Sequence, residues 1–237
     1  MNAIEDNQYS LEWVRIGKSF PKPIAILCIS AHWVTDSICV TGNQKPPTIH
    51  DFYGFPQALN RVEYPAPGSP DLAKKIKSAT LVDDWGLDHG AWSVLCRMYP
   101  LADIPVVQLS LSQSLTPQQH FDLGRTLVIL REQGVLIIGS GNIIHNLSTI
   151  NMDNSDQKWA LVFDKNIKDI LDYRDYQPLV DYHNLVGSQL AIPTNEHYLP
   201  LLYVLGASNP KDKITYFNES ITAGSIGMRS FILSAQP

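Results

Sequence analysis

Six apolar residues in a row, Ile24, Ala25, Ile26, Leu27, Cys28 and Ile29, set the strongest constraint on how this chain folds. A strand with one wet face alternates apolar and polar residues, whereas a strand apolar at every position needs cover on both faces. Similar short runs follow at Ile104–Leu109 and Val135–Ile138. Between them lie segments of helical spacing. Pro70–Ser78 carries Leu72, Ala73 and Ile76, and Gln118–Gln133 carries Phe121, Leu123, Leu127, Ile129 and Leu130. Gly134 then stops the helix and releases the next strand. Parallel neighbours need crossover connections, so the alternation predicts an α/β fold with a mostly parallel central sheet flanked by helices. The Pro-rich stretch from Glu63 to Asp71, EYPAPGSPD, is too short to divide domains, and residues 1–237 are read as a single domain.

Charge narrows the partners. Eighteen Lys and Arg against 23 Asp and Glu, with no basic block, argue against nucleic acid and against an anionic membrane. No apolar run reaches the ~20 residues that span a bilayer, and the opening MNAIEDNQYS is too polar for a signal peptide. Cys28, Cys39 and Cys96 show no C-x-x-C spacing and read as buried thiols in a reducing cytoplasm. The sequence leaves room for a homo-oligomer.

Five of the seven histidines sit in unusual surroundings. His32 ends the first strand, in SAHW. His50 opens the aromatic loop HDFYGFP, and His89 lies in WGLDHGAW. His145 follows a strand and a small-residue turn, in GSGNIIHN, and His197 precedes an apolar helix, in PTNEHYLPLL. His120 and His183 read as surface residues. Ligands of open α/β sheets collect beyond the carboxyl ends of the strands, where His32 and His145 are both expected. Neutral imidazole binds first-row divalent metals and also serves acid–base chemistry. The chain has no G-x-S-x-G elbow, no P-loop and no H-E-x-x-H pair, and GSGNII lacks the third glycine of a dinucleotide site. The residues alone thus point to a His-rich metal or acid–base site at a sheet edge.

Six motifs in register, SAHW, PPTIHDFYGFP, YPAPGSPDLA, WGLDHGAWSVL, SGNIIHNL and PTNEHYLPLLYVLGA, resemble the 4,5-DOPA extradiol dioxygenase family. This is a branch of the LigB-type ring-cleaving dioxygenases. The resemblance implies a LigB-like α/β domain, a non-haem Fe(II) centre in which zinc is often found after purification, and a catechol and O2 as substrates. By motif, His32 and His197 are similar to metal ligands. His145 and His89 are similar to the family's acid–base pair, His145 as base and His89 as acid, an order that could be reversed. His145 can also count as a ligand, and His50 occupies a pocket position that lines the substrate or serves structure. Such chemistry needs a metal with few protein ligands and open positions, a base to deprotonate the catechol, and an acid for the leaving oxygen.

One motif has no counterpart. The family's first strand and GHGSPM turn, whose His is the third ligand, precede the region matching Met1, Asn2 and Ala3, and no histidine occurs before His32. The natural product is therefore expected to be longer. Glu196 is not expected to replace the ligand, because adjacent residues in a turn rarely both reach one ion. The alternative is a non-catalytic metal- or ligand-binding relative on the same scaffold. Zinc-dependent hydrolysis is disfavoured, since carboxylates to serve as base are few.

Overall fold

The computed structural model of the protein describes residues 1–151, 153 and 157–235. In chain order the elements are α1 (Gln8–Gly17), β1 (Ala25–Thr35), β2 (Cys39–Thr41), α2 (Pro70–Ala73), β3 (Thr80–Val82), α3 (His89–Met98), β4 (Val106–Ser112), α4 (Pro117–Thr126), α5 (Val128–Glu132) and β5 (Val135–Ser140). They continue with α6 (Lys158–Tyr173), α7 (Gln177–Val180), α8 (Ser188–Ala191), α9 (Leu199–Gly206), β6 (Lys213–Phe217), β7 (Ile221–Thr222), β8 (Ile226–Gly227) and β9 (Ser230–Ser234). They group into two compact units. The first holds Met1–Ser114 and Leu127–Ser140, the second Leu115–Thr126 and Gly141–Pro237.

The first unit is built on a sheet of order β3-β2-β4-β1-β5. β1 pairs in parallel with β4 and β5, β2 pairs in parallel with β3, and only the β2–β4 pairing is antiparallel. The mostly parallel sheet expected from the sequence is therefore present. The apolar run lies at its centre: Ile26, Leu27, Cys28 and Ile29 are at most 1% exposed, as a strand paired on both edges and covered on both faces requires. Helix α3 packs on β1 and β5, α5 on β5, and α1 on α3.

β1 does not stop where the apolar run stops. Its register with β4 runs from Ile26↔Val106 to Ile29↔Leu109 and resumes at Val34↔Leu111, so Ser30 to Trp33 lie opposite the single residue Ser110. Such a bulge bends the strand and re-aims side chains. His32 was expected to end the strand; it sits inside the strand, on this bulge.

In the second unit α6 buries Ala160, Phe163, Ile167 and Leu171, the three-and-four spacing of an amphipathic helix. Helix α9 is buried almost throughout and lies against α4. Their approach is close because both are notched: a Cβ on Gly124 would stand 2.5 Å from the Tyr203 carbonyl oxygen, and one on Gly206 2.3 Å from that of Phe121. The helix expected over Gln118–Gln133 is two helices, α4 and α5, broken at Leu127, and the halves belong to different units. A continuous apolar periodicity concealed two burial partners. His120 is also not at the surface. It is fully buried on α4, its Nδ1 2.8 Å from the Tyr203 hydroxyl oxygen. Strands β6 and β9 form one antiparallel pair and β7 and β8 another. Among the described residues no helix is long and apolar enough to cross a membrane.

The three cysteines are free. Burial pushes the Cys28 thiol well above its ordinary range, with the charge of Asp88 adding to it, and pushes Cys96 up to about 11 against the pull of Arg97. Thiolate is the reactive form. Thiol counting on native protein at about pH 8 should therefore leave Cys28 and Cys96 unmodified, and all three should react once the chain unfolds. Rapid native labelling at Cys28 would contradict this packing.

Candidate active site

In the first unit the bulge is pinned from below. The Ser30 hydroxyl donates to Asp88 Oδ1 at 2.8 Å, and the His32 backbone N–H donates to Ser30 Oγ at 3.2 Å. Asp88 caps α3 by accepting from the Ala91 N–H at 3.0 Å, and its other oxygen accepts from the Gln108 amide on β4. The Asp88 N–H returns a bond to Gln108 Oε1 at 3.2 Å. Burial raises the Asp88 carboxyl above its usual range, although the bonds from Ser30, Ala91 and Gln108 pull it down. Gly90 leaves the space this cluster needs: a Cβ there would lie 2.4 Å from Ser30 Oγ and 2.9 Å from His32 Cδ2. Ser30 thus holds the backbone of His32, and Gly90 leaves room for its ring.

His89, the first residue of α3, brings its ring centroid within 3.8 Å of that of His32, at 42°. Asp51 closes the group. Its Oδ1 accepts from the His89 backbone N–H at 3.0 Å and lies 2.9 Å from His89 Nδ1, a short contact bent off the N–H axis. Burial would raise the Asp51 carboxyl, but the bonds and charge of His89 outweigh it and hold it low. Donor atoms of His32, Asp51 and His89 all lie within 4.8 Å of one another. Phe52 meets His89 edge-on, at 5.4 Å and 82°. His50 is not part of the group: its Nε2 is 3.0 Å from the Val62 carbonyl oxygen, and its ring packs 5.5 Å from Trp92. Trp33 stacks on Trp85 at 5.3 Å and 7°.

In the second unit His145 is held by its backbone, which donates to the Ala191 carbonyl at 2.9 Å and bridges Ile226. The small-residue turn before it has a local reason: a Cβ on Gly141 would stand 2.3 Å from the His197 carbonyl oxygen. The His145 and His197 rings stack at 3.6 Å and 11°. Burial lowers the His145 pKa, and the charge of Glu196 opposes the shift only in part, so the neutral, metal-binding and base-competent imidazole is favoured. Donor atoms of His145, Glu196 and His197 lie within 4.8 Å of one another. Glu196 was not expected to reach an ion alongside His197, yet the turn brings donor atoms of both within 4.8 Å of each other. A cavity of about 580 Å³ opens beside Glu196, walled by Tyr182, His183, Ser188, Thr194 and Asn195.

Each unit thus gathers two imidazoles and one carboxylate, a donor set suited to a first-row divalent ion. Four of the five histidines singled out in the sequence are in these groups; Asp51 was not foreseen as a member, and Glu196 had been weighed and set aside. Each stands next to a flagged histidine, His50 and His197, but no spacing distinguishes it from the chain's other acidic residues.

The family to which this fold and site belong is shown directly. Residues 5–227 match the profile of the catalytic LigB subunit of aromatic ring-opening dioxygenase, and the chain belongs to this family. Among its relatives, the 4,5-DOPA dioxygenase extradiol of Escherichia coli K12 is 47% identical over 97% of this chain and 89% of that protein. The 4,5-DOPA dioxygenase extradiol of Portulaca grandiflora is 39% identical over 90% of this chain and 83% of its own length. A solved structure, the uncharacterized protein JW3007 of Escherichia coli K12, is similar with a TM-score of 0.85 and 42% identity, covering 96% of this chain and 93% of that one.

Proposed function

We propose that the protein is a metal-dependent extradiol dioxygenase that opens the ring of a catechol, DOPA-like or otherwise substituted, with O2. The family membership carries this reading, and the clustering of His and carboxylate donors supports it. His32 and His197 are the proposed metal ligands, with His145 stacked on His197 and able to share that role. Fe(II) is the proposed metal for activity, and Zn(II) suits the same donors. When bound, the metal would bring catechol and oxygen together and pass electrons between them.

The chain's own residues handle protons. His145, kept neutral by burial, accepts the proton that a catechol hydroxyl loses on binding. His89 supplies a proton to the leaving oxygen as the O–O bond breaks. His50, bonded to the Val62 carbonyl and packed on Trp92, is assigned to the pocket wall. The proposed setting is the cytoplasm.

The test is anaerobic loading with Fe(II), then addition of catechols and air. A yellow ring-fission product with matching oxygen uptake is expected. Metal and catechol binding without turnover would replace the enzyme with a binding protein.

A further inference from the structure

Asp51 is absent from the roles above, yet its carboxylate lies 2.9 Å from Nδ1 of the His89 ring. We infer that Asp51 is a positioning residue whose carboxylate keeps a proton on Nδ1 of His89 and so leaves Nε2 as the nitrogen that exchanges protons with substrate. The inference rests on the reading of His89 as a proton-transfer group. One oxygen of Asp51 meets two nitrogens of the same residue, the backbone N–H at 3.0 Å and Nδ1 at 2.9 Å. The first contact fixes the carboxylate to the start of α3, where the helix end also favours negative charge. The second then orients the ring. The N–H axis is bent away from this oxygen, the loose alignment that catalytic hydrogen bonds commonly show before substrate binds. Large rotations of the ring are blocked, because the His32 ring stands 3.8 Å away and Phe52 lies edge-on at 5.4 Å.

A histidine whose second nitrogen is held by a carboxylate has its tautomer and orientation set by that partner. The rival role, metal ligand, also fits the 4.8 Å spacing to His32. It is disfavoured because the oxygen facing His89 already accepts that residue's backbone N–H at 3.0 Å and stands 2.9 Å from Nδ1.

The two roles separate by experiment. In zinc-loaded protein with 15N-labelled histidine, long-range proton–nitrogen spectra should show His89 protonated at Nδ1. Asp51→Ala should move it toward the Nε2-protonated form that free histidine prefers, and Asp51→Asn should fall between. In the iron-loaded enzyme, Asp51→Ala should lower kcat by about 10- to 100-fold. KM should stay within about threefold, because ground-state binding is untouched. An unchanged tautomer in Asp51→Ala overturns the inference, as does a loss of zinc affinity of about tenfold or more without a tautomer change. If no catechol is turned over while the tautomer shifts as described, the functional reading fails and the positioning role stands.

Discussion

His145→Ala should lower turnover of the iron-loaded enzyme by about 10²–10⁴-fold, the usual worth of a positioned acid or base. The fold should survive, because the backbone of residue 145, not its ring, bonds to Ala191 and bridges Ile226. Zinc affinity measured by chelator competition should largely persist, since the proposed ligands His32 and His197 remain. Loss of all metal in this variant would instead make His145 a ligand. Oxygen uptake and chelator competition on one preparation decide between the two roles.

The second large effect concerns stability. Asp88→Ala removes the acceptor shared by the Ser30 hydroxyl and the Gln108 amide, and with it the cap of α3. Both partners are fully buried, so water cannot replace the lost bonds. The cost is about 3 kcal/mol, from unsatisfied buried groups together with a lost cap. Domains of this kind are stable by only about 5–15 kcal/mol, so the denaturation midpoint should fall clearly. Charge adds a pH dependence. The folded Asp88 pKa is raised, so the stabilisation its proton brings is complete below the ordinary value of about 4 and is lost as pH rises through the raised one. Asp88→Asn cannot ionise and should lack that slope; an identical slope would place the titration elsewhere.

How much of this was legible beforehand differs by element. The unbroken apolar run from Ile24 to Ile29 could only be a doubly covered strand, and it is the centre of the sheet. His32 and His145 stood out because ligands of α/β sheets collect at strand ends, and each lies in a His–carboxylate group. The bulge was not: it depends on β1 pairing with β4 across an offset that no local pattern records. Nor was the break at Leu127, where an uninterrupted periodicity serves two different burial partners. His120 looked exposed beside the polar TPQQ, but Tyr203, 83 positions away, supplies its bond. Asp51 and Glu196 share that difficulty. A carboxylate becomes informative only when its distant neighbours are known.

The offset in β1 has an evolutionary side. The strand is in register with β4 before Ser30 and again after Trp33, so the ladder makes no demand on which side chain occupies position 32. Substitution there should leave the sheet pairing intact and, under the role proposed for His32, would change the ion held. The buried central strand thus carries a proposed functional position that its pairing leaves unconstrained, a layout in which new chemistry can be tried on an unchanged frame.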